Sequence, residues 1–395
     1  MYSLDRLLHH FHIFRPRRKP TGFEALVVNY TISQVATGML GIFGVLFIYE
    51  LGHDLMSGLI LVLGFFGLQR LAVGLMIPLA AKGITKIGYR WMMLVGLVSL
   101  AIKAFLLMQV TVNNLWLLMV ILILGAMAIA GYYLGYHGIF LDDNDDDKIG
   151  EQMGLITMAG RMALIISPIL AGWLIDNYGF SIMFGVAMSL LIVSLGPLFL
   201  MPHHKHNDQE FDFKKAIKLT KRSRFSKSVF WWHFENAIQA FYWPIFLFLI
   251  LGSHIKFGII ASLVMIINSV AVYSSGKIYD KRPLKRGYLM ATGLVSISYV
   301  LRFLSLNLAC VVGADSLNRL VSPFWWMKIR RKALIAGEKV GAMVFAAAWE
   351  WLVTAGYLGG LLIGFVILKL SDGQWLWLAV PAIVGVVMGA KHVEN

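Results

Sequence analysis

The sequence holds one cysteine, Cys310, in 395 residues. No internal disulfide can form, and no paired-cysteine metal site exists. Acidic residues number only 21, and charged residues make up 14% of the chain, against about 25% in soluble domains. No G-x-x-x-x-G-K-[ST] loop occurs, which excludes the usual nucleotide-driven pump. The basic, histidine-rich first 20 residues lack the apolar core and cleavage site of a secretory signal, so the first hydrophobic span is expected to stay as an uncleaved anchor. No nucleophile–base pair or metal-ligand set stands out, so an enzyme is not expected, nor a metal or cofactor. The acidic run around Asp145, Asp146 and Asp147 lacks the glycine and glutamate of a calcium loop.

Apolar residues dominate instead, at 58%, bunched into stretches of about 20. A soluble helix needs a polar face, so this bunching excludes a soluble globular fold, a disordered chain and a collagen-like one. The expectation is an all-α polytopic membrane protein. Twelve transmembrane helices are placed near 23–49, 56–80, 91–111, 115–140, 153–175, 181–201, 229–251, 255–275, 288–309, 312–327, 340–368 and 374–390. The tenth is the weakest, since Asp315, Asn318 and Arg319 interrupt it.

With the N-terminus inside, 28 of 35 Lys and Arg fall on the cytoplasmic side and two, Lys256 and Lys369, on the other. That split predicts a multi-pass protein of the cytoplasmic (inner) membrane with both termini cytoplasmic. It also accounts for the +14 net charge without a nucleic-acid partner. The domains expected are a basic cytoplasmic tail (1–22), an N-terminal six-helix bundle (23–201), a cytoplasmic linker (202–228), a C-terminal six-helix bundle (229–390) and a short tail (391–395). Within the linker, positions 210–225 mix apolar and basic residues at helical spacing, which reads as an amphipathic helix on an anionic leaflet. The two halves echo each other: Gly150-Glu151-Gln152-Met153-Gly154 opens the fifth span and Gly337-Glu338-Lys339-Val340-Gly341 the eleventh.

Local motifs add to this. Between the eighth and ninth spans stands Gly276-Lys277-Ile278-Tyr279-Asp280-Lys281, followed by Lys285-Arg286. Between the second and third stands Lys86-Ile87-Gly88-Tyr89-Arg90, with Thr85 and Ala81 where the pattern has Asp and Gly. The fifth span carries Ser167-Pro168-Ile169-Leu170-Ala171-Gly172. With the six-plus-six arrangement, these segments resemble the major facilitator superfamily of secondary transporters. The resemblance implies two pseudo-symmetric six-helix bundles around a central cavity, rocking to expose it alternately to each side. It also implies that spans 1, 4, 7 and 10 line the cavity, and that Lys86, Gly88, Arg90, Gly276, Asp280 and Lys281 belong to gating loops. The fifth-span motif leans toward export.

Charged groups at mid-bilayer need a partner or water, so they mark candidate sites. In span seven, Glu235, Gln239 and Tyr242 follow i, i+4, i+7, with Asn236 and Trp243 on nearby turns. A solute site and an interfacial aromatic belt both fit. In span four, Tyr133 and His137 are one turn apart, with a proton-exchanging group or an interfacial position as the two readings. Asn29 and Gln34 (span one) and Trp326 (span ten) complete the substrate-binding candidates. Asp315 and Arg319 are expected to neutralise each other. Glu350 lies near mid-membrane, with Arg161 or Arg70 as its counter-charge; a protonation switch and a structural ion pair both remain open. Lys103 and Arg302, in the outer third and ninth spans, read as packing or snorkelling residues. The acidic loop with Asp145, Asp146 and Asp147 faces a basic one with Arg330 and Arg331, either as a cytoplasmic latch or as solvated helix ends. The function expected is a monomeric secondary transporter in the lipid bilayer, moving a small organic solute with protons. The alternative is a transporter-like sensor or assembly partner without transport.

Overall fold

The computed structural model describes residues 22–142, 149–201, 212–222, 224–281, 285–304, 307–338 and 342–394. Among the described residues the regular elements are all helical. Four long helices come first: α1 (Gly22–Glu50), α2 (Leu55–Ile87), α3 (Tyr89–Leu107) and α4 (Leu117–Asp142). Then follow α5 (Ile149–Leu200), the short α6 (Phe213–Arg222), α7 (Arg224–Ala237) and α8 (Trp243–Leu251). The chain finishes with α9 (His254–Lys281), α10 (Lys285–Leu304), α11 (Leu308–Glu338), α12 (Ala342–Leu370) and α13 (Ala379–Glu394).

Boundaries follow local chemistry. Asp54 caps α2: its carboxylate accepts from the Ser57 amide at 2.7 Å while the Ser57 hydroxyl accepts from the Asp54 amide. Those bonds hold the Asp54 carboxyl below its ordinary range. Between α2 and α3 the backbone passes through Gly88 at φ 85°, a conformation that favours glycine.

The fifth and sixth spans read from sequence are one continuous element, α5, interrupted only at Gly179 (φ 82°, ψ 170°). Two contacts with α1 show what the interruption does. Tyr30 packs on Gly160, and the neighbouring Asn29 amide donates to the Ser194 carbonyl at 2.6 Å. Residues 160 and 194 therefore lie at one level of α1, so α5 turns back on itself at Gly179. The amphipathic helix expected at 210–225 is present as α6, with Lys214, Lys215, Lys218 and Lys221 exposed and Ala216 buried. Phe213 meets the Trp351 ring edge-on at 5.3 Å.

Span seven contains a surprise. Between α7 and α8, residues Ile238–Tyr242 form a π-turn. A π-turn inserts one residue per turn and shifts every later side chain around the axis. Among the described residues, ten helices are long and apolar enough to cross a membrane. One runs Leu155–Leu200, about twice the roughly 20 residues a crossing needs. The polar α11 is not among the ten.

The N-terminal part (22–201) and the C-terminal part (212–394) meet along two tight seams. A Cβ on Gly172 of α5 would collide with the His254 carbonyl, and one on Gly258 of α9 with the Pro168 carbonyl. The missing side chains let the backbones approach. In the second seam α2 packs on α12: Trp351 Nε1 donates to the Gly74 carbonyl at 2.8 Å and Thr354 Oγ1 to the Arg70 carbonyl at 3.3 Å.

Candidate functional site

Between the two parts lies a central cavity of about 630 Å³. Its acidic and basic lining residues are Arg70 (α2), Lys103 (α3), His233 (α7), Asp315 and Arg319 (α11) and Glu350 (α12). Gln34, Tyr133, Asn236, Gln239 and Trp243 line it as well, so five of the substrate-binding candidates converge here.

Other candidates lie elsewhere. Asn29 is fully buried inside the N-terminal part, where it bonds the Ser194 carbonyl and the Tyr132 hydroxyl. It holds α1 to α4 and α5 rather than lining the cavity. Tyr242, turned by the π-turn, donates to the Leu361 carbonyl at 2.5 Å and packs on Gly364. The one-sided stripe expected from 3.6-residue periodicity is thus split, with Gln239 on the cavity and Tyr242 away from it. Trp326 stacks on Trp232 at 5.5 Å, outside the lining. The His137 side chain lies outside the described residues.

Glu235 is 3% exposed and sits behind the lining in a polar cluster. It accepts from the Tyr299 hydroxyl, and Tyr299 and Arg302 both come from α10. Arg302 is fully buried and paired with Asp315. Its guanidinium also lies over the Trp243 ring at 4.6 Å. The pairing expected between Asp315 and Arg319 is present at 3.7 Å, but Arg302 is the closer partner. With the Gln239 amide turned so that its oxygen faces α11, Arg319 donates to that oxygen at 3.0 Å. Arg302 is therefore a core ion-pair member rather than a snorkelling residue. Removing one partner of such a pair leaves an uncompensated buried charge, which costs about 3–5 kcal/mol.

For Glu350 the two rival counter-charges separate. Arg161 bonds Asn268 of α9 at 3.3 Å, away from the cavity. Arg70 lines the cavity together with Glu350 and lies 4.3 Å from the centroid of the Tyr357 ring. Lys103, read from its outer span as a packing or snorkelling residue, reaches the cavity. His233 also lines the cavity; its Nδ1 lies 2.9 Å from the Val229 carbonyl. The signal for Lys103 was the charge itself inside an apolar run; for His233 it was the polar stripe on the same helix.

At one end of the molecule the two parts are joined by a polar cluster. His254 places Nε2 2.8 Å from Glu50 and Nδ1 2.9 Å from Asp176. Ser253 donates to Asp176 at 2.8 Å, and the Ile255 amide donates to the same carboxylate at 3.0 Å. Glu50 and Asp176 come from the N-terminal part; Ser253 and His254 come from the C-terminal part.

Among the gating candidates, Gly88 breaks the chain between α2 and α3, and Lys86 is exposed beside it. Arg90 donates to the Met201 carbonyl at 2.9 Å, tying α3 to the end of α5. Gly276 lies inside α9 with open space around it. Arg330 and Arg331 are exposed on α11. The side chains of Asp280 and Lys281 lie outside the described residues, as do Asp145, Asp146 and Asp147.

No curated protein matches the sequence. Among solved structures, a crystal structure of the nucleoside transporter NupG is similar, with a TM-score of 0.66 and 15% identity. The match covers 95% of this chain and 99% of that one. A sequence model of the Major Facilitator Superfamily matches residues 26–326. Family match, helical architecture and cavity agree: the chain belongs to the major facilitator superfamily of membrane transporters.

Proposed function

We propose that the protein is a secondary active transporter that moves a small organic solute through the central cavity by alternating access, coupled to protons. The observation that carries this reading is the cavity itself. It is lined from both parts of the chain, and it holds Arg70, Glu350, Asp315 and Arg319 where a purely structural helix interface would be apolar. Twelve crossings in two bundles, 23–201 and 229–390, fit the ten apolar helices once α5 is counted twice and the polar α11 is included. The protein works as a monomer. With both termini in the cytoplasm of an inner-membrane protein, the Glu50–His254–Asp176 cluster closes the outer mouth. The fifth-span motif favours export.

Glu350 and Glu235 are the proton-coupling candidates. Glu350 exchanges its proton with the cavity and is answered by Arg70; Glu235 responds through Tyr299. The test is solute flux in proteoliposomes with an imposed pH gradient. Glu350→Gln or Glu235→Gln is expected to keep solute exchange and lose gradient-driven accumulation. Accumulation retained in both variants contradicts proton coupling. Absence of flux for every solute that stabilises the purified protein contradicts transport and favours the sensor alternative.

A further inference from the structure

The charges in and behind the cavity do not balance. Four cations, Arg70, Lys103, Arg302 and Arg319, face three acids, Asp315, Glu235 and Glu350. Even with every acid ionised one positive charge is left over. Geometry locates it. Asp315 is held by Arg302 and Arg319, and Glu350 shares the cavity lining with Arg70. Among the described residues, no carboxylate lies within 4.0 Å of Lys103. Its ammonium lies 5.8 Å from the centroid of the Phe65 ring and shares the cavity lining with the like-charged Arg70. A buried charge without a counter-ion is costly and marks a place for one.

A second observation points the same way. Gln69, beside Arg70 on α2, is 5% exposed and lines the cavity, yet its amide nitrogen has no hydrogen-bond partner. A buried donor left unpaired needs an acceptor. Gly125 of α4 brings this donor and Lys103 together. A Cβ there would run into Gln69 Nε2 and would lie 3.2 Å from Lys103 Nζ. The absent side chain leaves both nitrogens converging on one point of the cavity wall, with the Arg70 guanidinium at the next position along α2.

We propose that Lys103, Gln69 and Arg70 form an anion-binding subsite on the N-terminal wall of the cavity, and that the transported solute carries a carboxylate or phosphate group bound there. This rests on the transport reading and narrows its substrate class. Lys103 and Arg70 supply charge, and Gln69 supplies an oriented N–H. The aromatic and amide groups of the opposite wall, Trp243, Asn236 and Gln239, meet the rest of the solute.

The test is ligand-dependent thermal stabilisation of the full-length purified protein with benzoate, succinate and inorganic phosphate as anionic probes and glucose and uridine as neutral ones. At least one anionic probe is expected to stabilise the wild type, with its affinity falling tenfold or more in Lys103→Gln and in Gly125→Ala and recovering in Lys103→Arg. Which anion binds separates carboxylate from phosphate recognition. Should Lys103→Gln fold poorly, Gln69→Glu gives an independent readout. An internal carboxylate beside Lys103 is expected to raise the melting temperature without probe and abolish anion binding. Stabilisation by neutral probes alone, or anion affinity unchanged in these variants, overturns the subsite while leaving transport standing. No stabilisation or flux with any probe of either class counts against both.

Discussion

Lys103 and Arg302 occupy corresponding outer spans of the two halves, yet their surroundings differ. Arg302 is fully buried, paired with Asp315 and covered by Trp243 and Tyr299. Lys103 lies beside Gly125 and Gln69 and faces the cavity. The same charge in the same kind of helix is paired where a carboxylate meets it, and reaches the cavity where a glycine does. Pairing, rather than position in the bundle, distinguishes the two.

The comparison breaks most directly at Asp315. Asp315→Asn strands Arg302 in the interior and is expected to cost about 3–5 kcal/mol in unfolding of the detergent-purified protein. Lys103→Gln removes no carboxylate partner, only a distant contact with the Phe65 ring, and is expected to leave stability unchanged or raised. Equal losses in the two variants erase the distinction. Tyr299→Phe tests the same cluster more gently. Taking the hydroxyl from the buried Glu235 carboxyl is expected to cost about 1–3 kcal/mol, read as a lower melting temperature. Gly258→Leu probes the seam that the two parts share. The added side chain meets the Pro168 carbonyl, with an overpacking cost of about 1–3 kcal/mol and a much larger loss in transport rate. Flux at the wild-type rate shows that this seam need not stay tight. The smallest effect is expected at the mouth. The His254 cluster is partly exposed, so His254→Ala is expected to change stability by only about 0–1 kcal/mol per pair while speeding exchange of a bound solute. A loss as large as that of Asp315→Asn places this end on a par with the buried cluster.

The outline of the fold was legible because hydrophobic run length and the distribution of Lys and Arg each depend on local sequence. The helices that begin at Gly22, Leu55, Tyr89 and Leu117 start within a few residues of the expected spans, and α6 lies where Phe213, Ile217 and Lys218 predicted an amphipathic helix. What was hidden depends on backbone detail or on distant partners. The stripe through Glu235, Gln239 and Tyr242 assumed an unbroken 3.6-residue helix, and the π-turn at Ile238–Tyr242 sends Tyr242 to Leu361 instead. The i, i+4 spacing of Asp315 and Arg319 concealed the closer Arg302, which arrives from a neighbouring helix. The outer span of Lys103 suggested packing or snorkelling, and the missing side chain of Gly125 leaves room for it at the cavity. Asn29 looked like a cavity residue because it is polar; the Ser194 carbonyl and Tyr132 hydroxyl that satisfy it lie far away in sequence.

The central claim, that carboxyl groups in and behind the cavity couple solute movement to protons, is tested most directly by solute-driven proton movement. Vesicles containing the protein and a lumenal pH-sensitive dye are given a gradient of a solute that stabilises it. The wild type is expected to shift the lumenal pH as the solute moves, and Glu350→Gln to move solute without that shift. An unchanged pH in the wild type during measured solute flux, or an undiminished shift in Glu350→Gln and Glu235→Gln alike, contradicts the account.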